Sequence, residues 1–163
     1  MPLVGILTVS DRSSEGVRPD ASGPALEKRL ASSGLQVRLI DVVPDEIPEI
    51  IRVLTEWCDI EGLDLILTTG GTGVSPRDVT PEATLEVVSK VIPGMGEVMR
   101  GSSLQKTPHA MISRAIAGVR GKTLIINLPG SPKGAVENLE AVLPAIPHAI
   151  SKIQGDPTDC APN

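Results

Sequence analysis

Aromatic side chains are almost missing from this sequence. Its 163 residues include one tryptophan but neither phenylalanine nor tyrosine. Single-stranded nucleic acids are usually bound by stacking of their bases on aromatic side chains, and the formal net charge of −5 also opposes contact with a phosphate backbone. We therefore expect no nucleic-acid partner, and a hydrophobic core made of aliphatic side chains.

Long apolar runs and cysteine motifs are missing as well. No apolar run approaches the roughly 18 residues that would span a membrane, and the first residues lack the charged region and cleavage site of a signal peptide. Cys58 and Cys160 match neither a metal-site spacing nor a disulfide framework. A zinc site shared with His109 and His148 is an alternative that the scattered spacing disfavours. We predict a cytoplasmic protein with free thiols and no membrane contact.

The pattern of apolar residues predicts alternating strands and helices. Apolar runs rich in β-branched residues predict buried strands at residues 3–9, 35–43, 63–68 and 123–128. Residues 47–58 carry apolar side chains at the period of an amphipathic helix, and residues 93–119 have a helical pattern that glycines interrupt. This order predicts an α/β fold, a three-layer α/β/α sandwich with a mostly parallel sheet. We expect one domain, residues 1–155, and a flexible C-terminal tail, residues 156–163.

Three loops leave the C-terminal ends of predicted strands, where α/β proteins bind their ligands. They span residues 8–12, 68–82 and 127–133. The second contains Gly70, Gly71 and Gly73, which would let backbone N–H groups converge on phosphate oxygens. A tight strand-to-helix turn without a ligand is the alternative. Neither a Walker A loop nor a dinucleotide-binding glycine pattern is present, so we exclude P-loop enzymes and typical nicotinamide-dependent enzymes.

Polar side chains accompany these loops. Asp45 follows the second strand and Asp78 follows the glycine-rich loop, so both are expected at the ligand-binding edge, with Asp11 as a weaker candidate. Such carboxylates could share a Mg²⁺ ion bound to nucleotide phosphates. Alternatively, Asp45 could cap the next helix and Asp78 could interact with a helix dipole. Ser131 is expected to cap a helix whose N-terminus, with Lys133, could bind an anion.

Four sequence segments occur in an order typical of one protein family. They are Thr8-Val9-Ser10-Asp11, Thr69-Gly70-Gly71-Thr72-Gly73, Arg77-Asp78-Val79-Thr80-Pro81-Glu82-Ala83 and Leu128-Pro129-Gly130-Ser131-Pro132. With these motifs the chain resembles the MoaB/Mog family of molybdenum cofactor biosynthesis proteins, which includes the molybdopterin adenylyltransferases and the N-terminal domain of gephyrin. The resemblance covers residues 3–155. It implies the three-layer fold of that family, usually trimeric, with binding of molybdopterin and, in the adenylyltransferase branch, of Mg-ATP.

The resemblance also implies candidate site residues. Asp45 and Asp78 correspond to the family's two essential acidic residues, and are the predicted catalytic residues and Mg²⁺ ligands. Thr72 and its neighbouring glycines correspond to the loop that holds the ligands. The predicted molybdopterin and nucleotide contacts are Ser10, Asp11, Gly70, Gly71, Thr72, Gly73, Ser75, Gly130, Ser131, Pro132 and Lys133.

The predicted function is the adenylylation of molybdopterin. The resemblance implies ATP and molybdopterin as substrates, Mg²⁺ as cofactor, and adenylyl-molybdopterin and pyrophosphate as products, without a protein nucleophile. A molybdopterin-binding or scaffold protein without turnover is the alternative. A relative of the nicotinamide-mononucleotide deamidases is disfavoured, because nothing indicates the additional deamidase domain. We expect a homotrimer, since residues 93–119 carry apolar side chains that either face a neighbouring subunit or fold onto the sheet.

Overall fold

The structure, a computed structural model, describes residues 1–158 and 160. Within these residues, six strands form a single sheet. They are β1 (Leu3–Val9), β2 (Gln36–Val43), β3 (Leu65–Thr69), β4 (Lys90–Val91), β5 (Ala117–Arg120) and β6 (Thr123–Leu128). Their order is β2-β1-β3-β6-β5-β4. The first four strands in this order pair in parallel, whereas β5 pairs antiparallel with both β6 and β4. The sheet is therefore mostly parallel, as predicted, with an antiparallel edge.

Seven α-helices connect the strands within the described residues. They are α1 (Asp11–Ser14), α2 (Ser22–Ala31), α3 (Ile47–Asp59), α4 (Thr80–Val87), α5 (Pro93–Leu104), α6 (Pro132–Val142) and α7 (Ile146–Ile153), with short 3₁₀ helices at Pro108–Ile112 and Leu143–Ala145. Helices α3 to α7 each have a proline in their first two positions, where its missing N–H breaks no hydrogen bond. None of these helices is long and apolar enough to cross a membrane.

Helices cover both faces of the sheet. Successive buried residues of β1, β3 and β6 point alternately into two aliphatic cores. In β3, Leu65 and Leu67 pack with α2, α5, α6 and α7, whereas Ile66 packs with α3 and α4. Each fully buried side chain of this kind stabilises the fold by about 1.5–3 kcal/mol. The predictions of a three-layer sandwich and of an aliphatic core, to which Trp57 adds one aromatic ring, are confirmed.

The prediction of a helical pattern over residues 93–119 is only partly correct. Helix α5 and a 3₁₀ helix occupy part of it, but the segment ends in β5. An added Cβ at Gly118 would lie 2.7 Å from the Lys90 carbonyl oxygen, so this glycine permits close pairing of β5 with β4 and does not interrupt a helix. Because β5 has only four residues, it shows no period of its own.

The apolar side chains of this segment divide between core and surface. Met95 and Met99 are buried in the core between α5 and the sheet. The exposed ones are Val98, Leu104, Met111 and Ile112. Folding onto the sheet therefore accounts for part of the segment and leaves several apolar side chains at the surface.

The predicted flexible tail, residues 156–163, is described only in part. Residues 159 and 161–163 lie outside the described residues. Asp156 lies against the end of α7, where its carboxylate accepts hydrogen bonds from Ser151 Oγ at 2.5 Å and from the Thr158 N–H at 2.9 Å. These contacts connect the first residues of the predicted tail to the last helix.

Candidate functional site

The loops that follow the parallel strands converge at one edge of the sheet. The strands end in register, with Val9 beside Val43 and Thr69 beside Leu128, so the following loops emerge side by side. They enclose a cleft of about 860 Å³, which we call the carboxylate cleft because Asp11, Asp20, Asp45 and Asp78 line it. Ten predicted site residues lie in its wall: Ser10, Asp11, Asp45, Gly70, Gly71, Ser75, Asp78, Gly130, Ser131 and Pro132.

A second cavity of about 450 Å³ lies next to the carboxylate cleft. It contains the other predicted residues, Thr72, Gly73 and Lys133, and Ser131 lines both cavities. We call it the α5 cavity, because α5 and the following 3₁₀ helix supply much of its wall. The predicted site does not include its further polar residues, which are Arg100, Ser103, Lys106, Thr107, His109, Ser113, Glu137 and Asn138.

The glycine-rich loop has a backbone that glycine adopts most easily. Gly70 and Gly71 have φ angles of 102° and 66°, in a region that residues with side chains rarely occupy. An added Cβ at Gly70 would lie 2.2 Å from the Val9 carbonyl oxygen, and one at Gly71 would lie 2.3 Å from Thr80 Oγ1. Both glycines are therefore required by the turn itself. Their presence alone does not argue for a ligand.

A buried polar chain supports this loop from the sheet side. Thr80 is the first residue of α4, and its Oγ1 donates to the Gly70 carbonyl at 2.9 Å. Thr84 Oγ1 donates to the Thr80 carbonyl at 2.8 Å. Asn127 Nδ2 donates to Thr84 Oγ1 at 3.0 Å and to Thr68 Oγ1 at 2.9 Å. These four side chains, those of Thr68, Thr80, Thr84 and Asn127, are completely buried.

Asp45 and Asp11 hold each other's loops in place. The Asp11 N–H donates to Asp45 Oδ2 at 2.9 Å, and the Asp45 N–H donates to Asp11 Oδ1 at 3.0 Å. The idea that Asp45 caps α3 is wrong, because the N-cap residue is Glu46. Burial raises the pKa of Asp45, whereas the hydrogen bond from the Asp11 N–H lowers it. The negative charges of Asp11 and Asp78 add to the upward shift. A cation brought by a ligand would stabilise the ionised form of Asp45.

Asp78 shapes the loop that carries it. Its Oδ2 accepts the Ser75 N–H at 3.0 Å, and its own N–H donates to the Ser75 carbonyl at 2.9 Å. An added Cβ at Gly73 would lie 2.8 Å from Asp78 Oδ2, so this glycine leaves space beside the carboxylate. Because the charge of Asp78 acts on the pKa of Asp45, the two carboxylates lie within electrostatic reach of each other.

Arg77 bridges three loops at the rim of the carboxylate cleft. Its Nε and Nη2 donate to the Asp11 carboxylate, each at 3.0 Å, and Nη2 also donates to Glu46 at 2.7 Å. The hydrogen bonds with Arg77 lower the pKa of Asp11. The Arg77 side chain is 54% exposed, so these ion pairs add little stability, and their main effect is to join the loops that carry Asp11, Glu46 and Arg77. Sequence reasoning missed Arg77, although its place next to Asp78 in the motif was a signal.

Ser131 caps α6, as predicted. Its Oγ accepts the Gly134 N–H at 3.1 Å. Ser22 Oγ donates to the Gly130 carbonyl at 2.7 Å and so fixes the loop before the helix. The Lys133 side chain is 87% exposed, with its Nζ 4.0 Å from Glu137. Because Ser131 lines both cavities, the positive end of the α6 dipole lies where they meet, with an exposed cation beside it.

The carboxylates suit a magnesium ion that arrives with a nucleotide. Among the described residues, no group of three His, Cys, Asp or Glu side chains could hold a metal ion by itself. Mg²⁺ commonly binds one or two carboxylates together with substrate phosphates and waters. The Oδ1 atoms of Asp45 and Asp78 accept no hydrogen bond from the described residues. This donor set fits a Mg²⁺ ion that also binds substrate phosphates.

Similar proteins come from molybdenum cofactor biosynthesis. A molybdopterin adenylyltransferase of Helicobacter pylori J99 is 48% identical over 155 residues, which cover 94% of this chain and 88% of that protein. Gephyrin of Dictyostelium discoideum is 47% identical over 170 residues. That match covers 98% of this chain but 24% of gephyrin, so the chain spans about a quarter of that relative's length.

A solved structure and a family match support the same relationship. The crystal structure of the molybdopterin biosynthesis enzyme MoaB from Thermus thermophilus superposes with a TM-score of 0.91 at 56% identity, and the match covers 98% of this chain and 100% of that one. Residues 5–148 match the family described as Probable molybdopterin binding domain. This chain therefore belongs to the molybdopterin-binding domain family of molybdenum cofactor biosynthesis proteins.

Proposed function

We propose that this chain is a molybdopterin adenylyltransferase, which transfers AMP from ATP to molybdopterin and releases pyrophosphate. The observation that carries the proposal is the junction of two cavities at Ser131 and the glycine-rich loop. Both cavities have volumes typical of small-molecule sites. A nucleotidyl transfer needs two substrates whose reacting phosphates meet, and two adjoining cavities support that arrangement. The name of the Helicobacter pylori relative gives further support.

We place ATP in the carboxylate cleft and molybdopterin in the α5 cavity. Asp45 and Asp78 line the former, where they would hold Mg²⁺ together with the ATP phosphates. When bound, Mg²⁺ would reduce the negative charge that opposes attack on the α-phosphate. The α5 cavity has three cationic side chains, Arg100, Lys106 and Lys133, and one carboxylate, Glu137, in its wall, and the excess of positive charge complements the terminal phosphate of molybdopterin.

The reaction is a displacement at the α-phosphorus of ATP. An oxygen of the molybdopterin phosphate forms the new P–O bond, and the bond to the β-phosphate oxygen breaks, so the electron pair leaves with pyrophosphate. Backbone N–H groups of the glycine-rich loop would hold phosphate oxygens as charge develops on them. The scheme uses no protein nucleophile, and the carboxylates act by binding and orienting the substrates.

Pyrophosphate release tests the proposal directly. Purified protein with Mg-ATP and molybdopterin should release one pyrophosphate for each adenylyl-molybdopterin formed, whereas the reaction without molybdopterin should release none. Release in the absence of molybdopterin would indicate ATP hydrolysis. Binding of molybdopterin without any release would contradict the enzyme and favour a binding or scaffold protein.

We also propose that the chain forms a homotrimer in the cytoplasm. The exposed apolar side chains on α5 and the following 3₁₀ helix support an assembly, because a neighbouring subunit would bury them. The free thiols of Cys58 and Cys160 support the location, since a reducing compartment keeps thiols in this state. Sedimentation of micromolar protein should give a mass near that of three chains. A monomer with full activity would contradict the trimer and leave the proposed reaction unaffected.

A further inference from the structure

Arg114 ties the glycine-rich loop to the helix that follows it. Its Nε donates to the Gly73 carbonyl at 2.7 Å, and its Nη2 donates to the Asp78 carbonyl at 2.8 Å. Its Nη1 pairs with the Glu82 carboxylate of α4, and its backbone N–H donates to the Thr72 carbonyl at 2.8 Å. One residue therefore fixes three points of the loop and one point of the helix.

The part of the loop between these anchors lies in solvent. Residues 74–77 are exposed, whereas Gly73 and Asp78 on either side are half-buried. Ordering such a segment is costly, because each residue loses about 1–2 kcal/mol of backbone entropy. The guanidinium of Arg114 suits this task, since a rigid planar fork donates in several fixed directions and a lysine ammonium does not.

The surroundings of Glu82 indicate that the pair with Arg114 serves geometry more than stability. Oε1 binds Arg114, but Oε2 is buried and accepts no hydrogen bond from any described residue. A buried oxygen without a partner costs free energy, and a partly buried ion pair is weak evidence for stability. The Glu82 side chain is 44% exposed, so its pair with Arg114 adds little stability, and its main effect is to hold Arg114 against the loop.

We infer that Arg114, held by Glu82, is a positioning residue for the transfer reaction: it sets the place of Asp78 and of the Thr72 and Gly73 peptide groups between the two cavities. Arg114 lines neither the carboxylate cleft nor the α5 cavity, so it acts through the loop and not on a substrate. The inference rests on the proposed function for its effect on turnover, but not for its effect on the loop.

Arg120 offers a matched control. Its guanidinium makes two hydrogen bonds to the Asp59 carboxylate and one, at 3.0 Å, to the Val87 carbonyl. Its side chain is 31% exposed, close to the 35% of Arg114, and it lines neither cavity. Arg114→Lys and Arg120→Lys should therefore lower the melting temperature by similar, small amounts.

Steady-state kinetics separate positioning from a purely structural role. In Arg114→Lys, kcat for pyrophosphate release should fall on the order of 10–100-fold, because a displacement of about 1 Å at a reacting centre has such an effect. The KM for ATP should change less, and Glu82→Gln, which keeps an acceptor oxygen without its charge, should show a smaller fall in kcat. Arg120→Lys should keep the wild-type kcat. A wild-type kcat in Arg114→Lys would overturn the inference.

Hydrogen exchange tests the same inference without any turnover. In the ligand-free protein, the hydrogen-bonded loop amides of Ser75 and Asp78 should exchange faster in Arg114→Lys than in the wild type or Arg120→Lys, because the loop opens more often. If the wild type releases no pyrophosphate, the proposed function fails, yet the exchange rates still decide whether Arg114 holds the loop. Equal exchange in all three proteins would refute the positioning role.

Discussion

The glycine-rich loop has two supports that differ in their chemistry. On the sheet side it rests on the buried polar chain, which is neutral and has no access to solvent. On the solvent side, Arg77 and Arg114 hold it through half-exposed ion pairs. Losing one partner of a buried hydrogen bond is costly, whereas exposed ion pairs contribute little to stability. We therefore expect the inner support to determine whether the protein folds, and the outer support to determine the rate of its reaction.

We expect the largest loss of activity from a substitution at Asp78, on the solvent side of the glycine-rich loop. Asp78→Asn should lower the rate of pyrophosphate release on the order of 10²–10³-fold, because an amide oxygen replaces the charge that would hold Mg²⁺ beside the phosphates. The fold should persist, since the asparagine carbonyl can still accept the Ser75 N–H. Turnover at saturating Mg²⁺ measures the first effect and thermal melting the second. An unchanged rate at saturating Mg²⁺ would exclude the metal role of Asp78.

A substitution in the buried polar chain should lower the stability of the fold. Asn127→Ala should lower the free energy of unfolding by about 2–3 kcal/mol, because two buried threonine hydroxyls lose their donor. Urea denaturation measures this loss.

Asn138→Ala is the matched control for the inner support. Asn138 is 6% exposed and also donates two hydrogen bonds, to Ser103 Oγ and to the Gly134 carbonyl. It lines the α5 cavity, where water can replace the lost amide, so its loss should be nearer ~1 kcal/mol. If the two losses were equal, the buried polar chain would have no special importance for the fold.

Asp11 and Asp45 are neighbours whose pKa values shift in opposite directions. Hydrogen bonds with Arg77 lower the pKa of Asp11, and burial raises that of Asp45. A carboxylate with a lowered pKa stabilises the fold above its ordinary pKa, and this stability is lost as the pH falls through the folded-state value. One with a raised pKa contributes stability at low pH that is lost as the pH rises through its folded-state value.

Neutralising the two carboxylates should therefore have opposite effects on stability. Without Mg²⁺ at neutral pH, Asp45→Asn should melt above the wild type and Asp11→Asn below it. Both differences should shrink as the pH falls towards and below the ordinary aspartate pKa of 3.8. Melting curves between acidic and neutral pH measure this. A destabilised Asp45→Asn protein at neutral pH would show that the carboxylate's hydrogen bond outweighs its burial.

Local patterns reveal the carboxylate cleft but not what holds it together. Asp45 and Asp78 follow strands that are visible as apolar runs, and the cap at Ser131 is visible as a serine before Pro132. The contact of Arg77 with Asp11, in contrast, joins residues 66 positions apart, and that of Arg114 with Gly73 joins residues 41 apart. No periodicity encodes such contacts, because they depend on how strands are ordered in the sheet.

The polar lining of the α5 cavity was not predicted, for a related physical reason. Its polar residues come mainly from the glycine-interrupted segment at residues 93–119, where helix, 3₁₀ helix and β5 follow one another within a few residues. The 3₁₀ helix and β5 carry too few apolar positions to show a period. Their arrangement follows from packing against the sheet and from the pairing of β5 with β6, which is tertiary information.

The smallest expected effect concerns Ser131, which caps α6 and also lines both cavities. Ser131→Ala should lower the free energy of unfolding by about 1 kcal/mol through loss of the cap, as urea denaturation can show. The Oγ accepts the Gly134 N–H, but its own hydrogen is still available to donate to a phosphate oxygen. The same substitution should therefore also weaken ATP or molybdopterin binding, which calorimetry measures.

A second substitution separates the two roles of Ser131. Asparagine caps helices about as well as serine, but it has no hydroxyl and a bulkier head group. Ser131→Asn should therefore melt like the wild type while binding substrate more weakly, and Ser131→Ala should lose both stability and affinity. If Ser131→Ala loses only stability and Ser131→Asn matches the wild type in both measurements, the hydroxyl serves the helix alone. The phosphates at the junction of the two cavities would then be held by backbone N–H groups, by Lys133 and by the Mg²⁺ ion proposed at Asp45 and Asp78.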